Sequence, residues 1–374
     1  MAPPRTVLAQ TNFPLYAVQA LDSTHFLVAG GGGQAKTGVP NAIEIFELKQ
    51  REEKVQAASI CRHDTGTDAM ARDKDTEVRK RKGNAPEEKT LNGTKQLTFE
   101  VQPLRSVQTD FHKDGGFQKV VRFNADQKIV ATGGADGFLR VWKYPDMKKA
   151  YEVKAHKDDI DDLDISPSGD TIVTVSRDHT GVAWSAKEGK KEGDLVWNSK
   201  EASEYRFRCC RFGTVENKKD KLNLYTISIP IKRSSNPAPC HILLWDSDSM
   251  KVKKSANAGT EVLSALSVSD DGVYLGVGTI SGSVSVYVSF SLQRLYHVKE
   301  AHSIFVTGVE FMPASEATRA ILGKQDFSLL SVSADDTVHL HQMPERGFIS
   351  AVWVIAGCFI LIFLIFWLMA ELGI

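Results

Sequence analysis

The chain has no surplus of charge of either sign: 46 Lys and Arg stand against 46 Asp and Glu in 374 residues. A protein that gathers nucleic acid by bulk attraction carries a basic excess, so nucleic acid is not expected as a partner. Cysteine is scarce. Cys61, Cys209, Cys210, Cys240 and Cys358 are odd in number and form no CxxC or Cys/His spacing. That excludes a zinc site read from spacing and fits a reducing compartment better than a disulfide framework. The opening MAPPRTVLAQTNF holds no apolar run, so no secretory leader is expected.

What is present is repetition. Trp142, Trp184, Trp245 and Tyr287 recur at intervals of 42, 61 and 42 residues. Each closes an apolar run, a small-residue turn and a short alternating strand. KVVRFNADQKIVATGGADGFLRVW, DDLDISPSGDTIVTVSRDHTGVAW and LSALSVSDDGVYLGVGTISGSVSVY show the pattern. A period of about 40–45 residues with four strands per unit marks a WD40-type β-propeller. The fold class is therefore all-β. One such unit cannot bury both its faces, so copies stack around a ring.

The C-terminus differs in kind. GFISAVWVIAGCFILIFLIFWLMA, from Gly347 to Ala370, has no charge over 24 residues. About 20 apolar helical residues cross a bilayer core, so this stretch is expected to be a transmembrane helix. Trp353 and Trp367 lie near its ends, and Arg346 on its near flank favours a cytosolic propeller. The expected organisation is a cytosolic propeller over residues 1–343, a membrane helix over 347–370 and a short lumenal tail over 371–374. Asn92-Gly93-Thr94 is formally a glycosylation acceptor that would stay unused on the cytosolic side.

Six units can be placed: one ending near Lys49, those closing at Trp142, Trp184, Trp245 and Tyr287, and a last from about His302 to His341. The charged and Pro/Ser-rich parts of GTVENKKDKLNLYTISIPIKRSSNPAPC read as loops within the Trp245 unit. Between Phe46 and Trp142 the rhythm fails. From Arg72 to Lys89, 12 of 18 residues are charged, which predicts a disordered surface loop over about 64–95. One blade is therefore degenerate or missing.

Several residues have the types of a hydrolase triad, but a triad occurs once and these sets recur. His156, Thr174, Asp178 and Trp184 have the spacing of the structural tetrad of WD40 repeats. His302, Ser331 and Asp335 repeat three of its members, and Thr132, Asp136 and Trp142 form a partial set. A hydrogen-bonded series that ties a loop to two strands is expected at each. No catalytic residue is assigned.

The glycine run is less ordinary. Gly30, Gly31, Gly32, Gly33, Gln34, Ala35, Lys36, Thr37, Gly38, Val39, Pro40 and Asn41 interrupt the first unit. The G-x-x-x-x-G-K-T template of a phosphate loop is missed, because Ala35 replaces the second glycine. A phosphate loop must also open a helix, whereas the alternating NAIEIFEL follows here. Two residues suffice for a hairpin turn. Twelve imply a projecting loop whose backbone can approach a partner closely, and whose carbonyls could hold a monovalent cation.

FPLYAVQ, GGGGQAKTGVPN, VQTDF, KVVRFN, ATGGADGFLRVWK, EAH and the C-terminal apolar helix together resemble the prolactin regulatory element-binding protein family. That family is the animal counterpart of the yeast endoplasmic-reticulum exchange factor for the small Sar GTPase. The resemblance implies a seven-bladed propeller facing the cytosol from the endoplasmic reticulum. It implies GDP/GTP exchange on the Sar GTPase, which starts COPII coat assembly, possible scaffold partners at those sites, and no covalent chemistry or organic cofactor. The exchange role, with a potassium ion, would fall on Gly30 to Asn41. This chain departs from the family after His63-Asp64-Thr65, where most of a second blade is absent. The alternatives are a membrane-anchored WD40 scaffold without exchange activity, or a DNA-binding regulator using Arg79-Lys80-Arg81-Lys82.

Overall fold

Alternating apolar runs become strands, and the strands group in fours. The computed structural model describes residues 6–33, 38–51, 54–66, 76–81, 98–103, 105–216, 218–232, 234–345 and 351–372. After β1 (Thr6–Gln10), the first blade is built from β2 (Leu15–Ala20), β3 (His25–Gly30), β4 (Asn41–Arg51) and β5 (Lys54–Gly66). A two-stranded hairpin follows, β6 (Thr76–Arg81) with β7 (Thr98–Pro103). The second blade holds β8 (Gln118–Phe123), β9 (Ile129–Gly134), β10 (Phe138–Lys143) and β11 (Lys148–Lys154). The third holds β12 (Ile160–Ile165), β13 (Thr171–Ser176), β14 (Gly181–Ser185) and β15 (Lys191–Asp194).

The fourth blade contains β16 (Tyr205–Val215), β17 (Lys218–Pro230), β18 (Cys240–Asp246) and β19 (Val252–Gly259). The fifth contains β20 (Leu263–Val268), β21 (Tyr274–Thr279), β22 (Val284–Val288) and β23 (Arg294–Val298). In the sixth, β24 (Val306–Phe311), β25 (Gln325–Ser333) and β26 (Thr337–Pro344) are joined by β1 as outermost strand. The pairing of Thr6 with Leu340 and Gln10 with Thr337 thus ties the start of the propeller to its end. Among the described residues there are six four-stranded sheets, placed where the six repeat units were read.

Two local expectations, for the charged stretch after the first blade and for the fourth-blade insertion, need correction. VQAASICRH lies within β5, the outer strand of the first blade, and His63, Asp64 and Thr65 stand near the end of that strand beside Asn41–Ile43. The charged stretch taken as a loop over about 64–95 includes the end of β5 and all of β6; Asn92 lies outside the described residues. The charged part of the fourth-blade insertion is a lengthened β16–β17 hairpin, since pairing reaches Val215 with Lys218. In the sixth blade a helix, α1 (Glu316–Leu322), stands between β24 and β25, capped by Ser315, whose hydroxyl accepts from the Thr318 amide at 3.1 Å.

The last element is α2 (Ala351–Leu372), 22 residues long and set slightly later than the expected 347–370. Ile355, Phe359, Phe363 and Phe366 on it are exposed. Among the residues whose side chains the structure describes, no helical stretch is long and apolar enough to cross a membrane.

One irregularity repeats around the ring. In each blade the first strand gains one residue on the second near its start. The residues skipped by the register are Tyr16, Lys119, Asp161, Arg208, Ser264 and Thr307. A bulge bends a strand and re-aims the side chain it carries. All six of these residues line one cavity at the mouth of the central channel.

Candidate functional site: the glycine loop and the channel mouth

The glycine loop joins β3 to β4, so it stands at the same end of the ring as the turns carrying Asp136, Asp178 and Asp335. Its base is pinned. The buried Asn41 side chain accepts from the Gly33 amide at 2.9 Å and donates to the carbonyls of Gly33 and Gly66, both at 3.0 Å. Gly31 donates its amide to the Pro14 carbonyl at 2.9 Å. At φ +142°, a Cβ on Gly31 would lie 2.2 Å from Asn41 Oδ1, so glycine is required for this close approach. Val39 is exposed and Pro40 half-buried. Gln34, Ala35, Lys36 and Thr37 lie outside the described residues. The strand β4, not a helix, follows the loop, so the amide array of a phosphate loop is absent here.

The recurring polar sets form hydrogen-bonded series. In the third blade, His156 Nε2 meets Thr174 Oγ1 at 2.7 Å, and the Trp184 indole donates to the same hydroxyl at 2.9 Å. His156 Nδ1 lies 3.1 Å from the Asp178 carboxylate, which also accepts from the Lys157 amide at 2.9 Å. Burial pushes the His156 imidazole down, and Asp178 only partly offsets it. Burial would raise Asp178, but bonds from Thr180 and the Lys157 amide, with His156 beside it, bring it down to about 2.

The sixth blade repeats the series: His302 meets Ser331 at 2.7 Å and Asp335 at 3.2 Å. His341 takes the place of the indole, 2.8 Å from Ser331 Oγ. Sequence reasoning missed it because it sought tryptophan. In the second blade, Trp142 donates to Thr132 at 2.9 Å. There Asp110 stands where the other blades have histidine, accepting from the Asp136 amide at 3.0 Å, while Arg140 bonds the Asp136 carboxylate at 2.7 Å. The VQTDF motif had marked Asp110 without its role. These donors are consumed in tying loops to strands, and the sets lie in separate blades.

The channel mouth was not singled out from sequence. Its cavity of about 350 Å³ is lined in part by Lys119, Asp161, Arg177 and Arg208. The Asp161 side chain is fully buried, 3.2 Å from Lys119, 3.0 Å from Arg208 and 3.4 Å from Arg177, with Arg206 also bonded to it. Burial would raise its carboxyl; Arg208, Lys119 and Arg206 outweigh that and hold it below its ordinary value. Among the described residues no group of His, Cys, Asp or Glu is arranged to hold a metal ion.

Fold and repeats define a WD-repeat β-propeller: the family described as "WD domain, G-beta repeat" matches residues 102–143 and 147–185. Rat "Guanine nucleotide-exchange factor SEC12" is 37% identical over 389 aligned positions, covering 93% of each chain. Its mouse counterpart of the same name is equally similar over the same shares. Arabidopsis thaliana "SEC12-like protein 2" is 30% identical over 63% of this chain and 54% of its own. The chain belongs to the SEC12 family of guanine nucleotide-exchange factors. Its alignment with the rat relative spans more positions than its own 374 residues, so that relative carries residues which this chain lacks.

Proposed function

We propose that the chain releases GDP from the small Sar GTPase at the endoplasmic-reticulum membrane and so starts COPII coat assembly, with Gly30 to Asn41 as the exchange element. The observation carrying this reading is the pinned loop: a buried Asn41 clamps a glycine-rich projection on the rim of a propeller. A GTPase holds GDP through its phosphates and magnesium. A partner that prefers the nucleotide-free form must weaken GDP by the same factor, since binding linkage is reciprocal. A rigidly based loop wedged against the switch region achieves this without making or breaking a covalent bond. The Gly30–Gly33 backbone would make the close approach, with Lys36, Thr37, Val39 and Pro40 as contacts and Asn41 setting the loop angle. A potassium ion, if resident, would use carbonyl oxygens of this loop, the donor type hard cations take.

α2 would anchor the propeller by crossing the membrane once, leaving the ring on the cytosolic side. Protease added to intact microsomes would then digest the ring, and Asn92 would carry no glycan; a protected, glycosylated domain refutes this topology. The exchange reading is tested by nucleotide release. Replacing residues 32–39 with a two-residue Asn-Gly turn leaves the hairpin easy to close. GDP release is expected to fall to the spontaneous rate while the circular-dichroism melt stays unchanged. Release at the parent rate would instead leave a membrane-anchored scaffold as the better account.

A further inference from the structure

Outside the glycine loop, the strongest unassigned feature is the channel mouth, built by the ring of six bulges. Among the described residues, Lys119, Arg177, Arg206 and Arg208 share ion pairs with Asp159 and Asp161, and Arg211, which also lines the cavity, pairs with Asp162, so five cations meet three carboxylates. Two positive charges are therefore left over in a partly enclosed site, where low-dielectric walls concentrate the field. The guanidinium groups carry five donors each. Arg177 is 51% exposed and Arg208 33% exposed, so a partner can reach them from the cavity side.

The rim around this well is apolar. Tyr16, Phe117, Ile280 and Phe305 line the cavity and are themselves exposed, Phe117 by 56%. Val39, Phe111, Val196 and Ile304 are exposed on connections at the same end of the ring. Among the described residues outside α2, only Val7 and Phe290 are exposed large apolar side chains elsewhere. Scattered single apolar residues need no explanation, but eight gathered on one end mark an interaction face.

We propose that this face docks the GTPase, and that the cationic well receives an acidic side chain from a loop flanked by apolar residues. The inference rests on the exchange-factor reading and adds the surface that would hold the GTPase while the glycine loop, on the same end, displaces its nucleotide. A free phosphate would match the charge but would make no use of the apolar rim, whereas a protein partner uses both. Charge complementarity of this kind steers encounter and fixes orientation.

The test uses the full chain in nanodiscs and purified Sar GTPase loaded with GDP. Nucleotide release is measured against chain concentration for the parent, Arg177→Glu, Arg177→Ala and Ile280→Asp, each checked for folding by its thermal melt. Arg177→Glu is expected to raise the half-saturating concentration about tenfold and Arg177→Ala by less, as charged pairs at interfaces do. Raising salt from about 50 to about 300 mM should weaken the parent more than Arg177→Ala, because screening removes only charge-dependent attraction. Ile280→Asp should weaken docking at both salts. If these variants titrate as the parent does, the docking inference fails while exchange stands. If the parent neither binds nor unloads the GTPase, both readings fail. Competition by inorganic phosphate, with the protein titration otherwise unchanged by Arg177→Ala, would show a small-anion site instead and overturn the proposal.

Discussion

Five seams between neighbouring blades each share one continuous apolar cluster, and among the described residues the seam between the first and second blades shares none. Second and third blades, for example, interlock through Val120, Leu139, Ile160, Leu163 and Trp184. At the exceptional seam the first blade offers Ala17, Ala29 and Ile43, and the second offers Val121, Val130 and Trp142, in two separate groups. The bulge residues repeat the contrast. Lys119 pairs with Asp161 and Asp161 with Arg208, the Cys209 thiol beside Arg208 donates to the Ser264 carbonyl, Ser264 donates to Val306 and Thr307 donates to Leu15. Among the described residues no hydrogen bond or ion pair joins Tyr16 to Lys119.

A unit absent between the first and second blades would leave such a seam. The two faces at this seam are apolar, as faces that pack on a neighbouring blade must be, yet they do not interlock. Ala17 and Val18 of the first blade and Val121 and Arg122 of the second open onto a central cavity of about 60 Å³, which Arg211, Leu266 and Val309 of other blades also line. The short hairpin partly compensates: β7 runs beside β5, and Phe99 rests 4.7 Å from His25 on the first blade. The blades are thus joined through β1 and five full seams, and among the described residues no such seam joins the first blade to the second. The glycine loop sits on one of the two blades flanking that loose seam.

The largest expected effect tests this contrast directly. Leu163→Ala opens a cavity in an interlocked seam and should cost about 2–5 kcal/mol. Leu27→Ala, on the first-blade face at the loose seam where the side chain is only half-buried, should cost about 1 kcal/mol or less. Denaturant midpoints of the full chain in detergent measure both. Equal losses would mean that the two seams are energetically alike, and the account of a missing blade would lose its support.

How much of this was legible beforehand follows from range and period. The four-strand units, the Trp184 tetrad and the projecting loop are written locally, in turns and spacings, and could be read. Closure by β1 pairs Thr6 with Leu340, and no local pattern announces so distant a partner. The bulges were invisible because one extra residue breaks a period of two without changing composition. Asp110 and His341 were missed as members of their sets because each is a chemical substitute: a carboxylate answers a backbone amide where a histidine was sought, and an imidazole answers a hydroxyl where an indole was sought. β6 was misread because its charge outweighed its alternation.

A smaller effect separates complete from substituted polar sets. Asp178 ties the buried His156 to the exposed Lys157 amide, so Asp178→Ala removes the carboxylate partner of a buried imidazole and should cost about 1–3 kcal/mol. Nucleotide release by the surviving folded fraction should persist. Full stability with complete loss of release would give Asp178 a role in exchange and blur the distinction between tetrads and loop.

The smallest effect contrasts the sixth blade with the second through pH. Burial, then neighbouring His339 and His302, push the His341 imidazole down to about 3. Burial also pushes His302 down, with Asp335 offsetting only part. Both folded values lie below the unfolded value of about 6.5, so below that pH the unfolded chain binds more protons than the native one. The sign is therefore fixed: stability is full above about 6.5 and is lost as pH falls toward the folded values. For His341 alone the loss should be about 1–2 kcal/mol by pH 5. Hydrogen exchange at pH 7 and pH 5, corrected for intrinsic rates, should show protection lost first in β25 and β26, with the second blade less affected because His156, its nearest buried histidine, is bonded into the third. His341→Phe should lower stability at pH 7, since Ser331 loses a partner, yet flatten the fall between pH 7 and 5. An acid-induced opening that begins in β8 instead would place the weak point at the loose seam and show that packing, not proton uptake by the sixth blade, sets the order in which the ring comes apart.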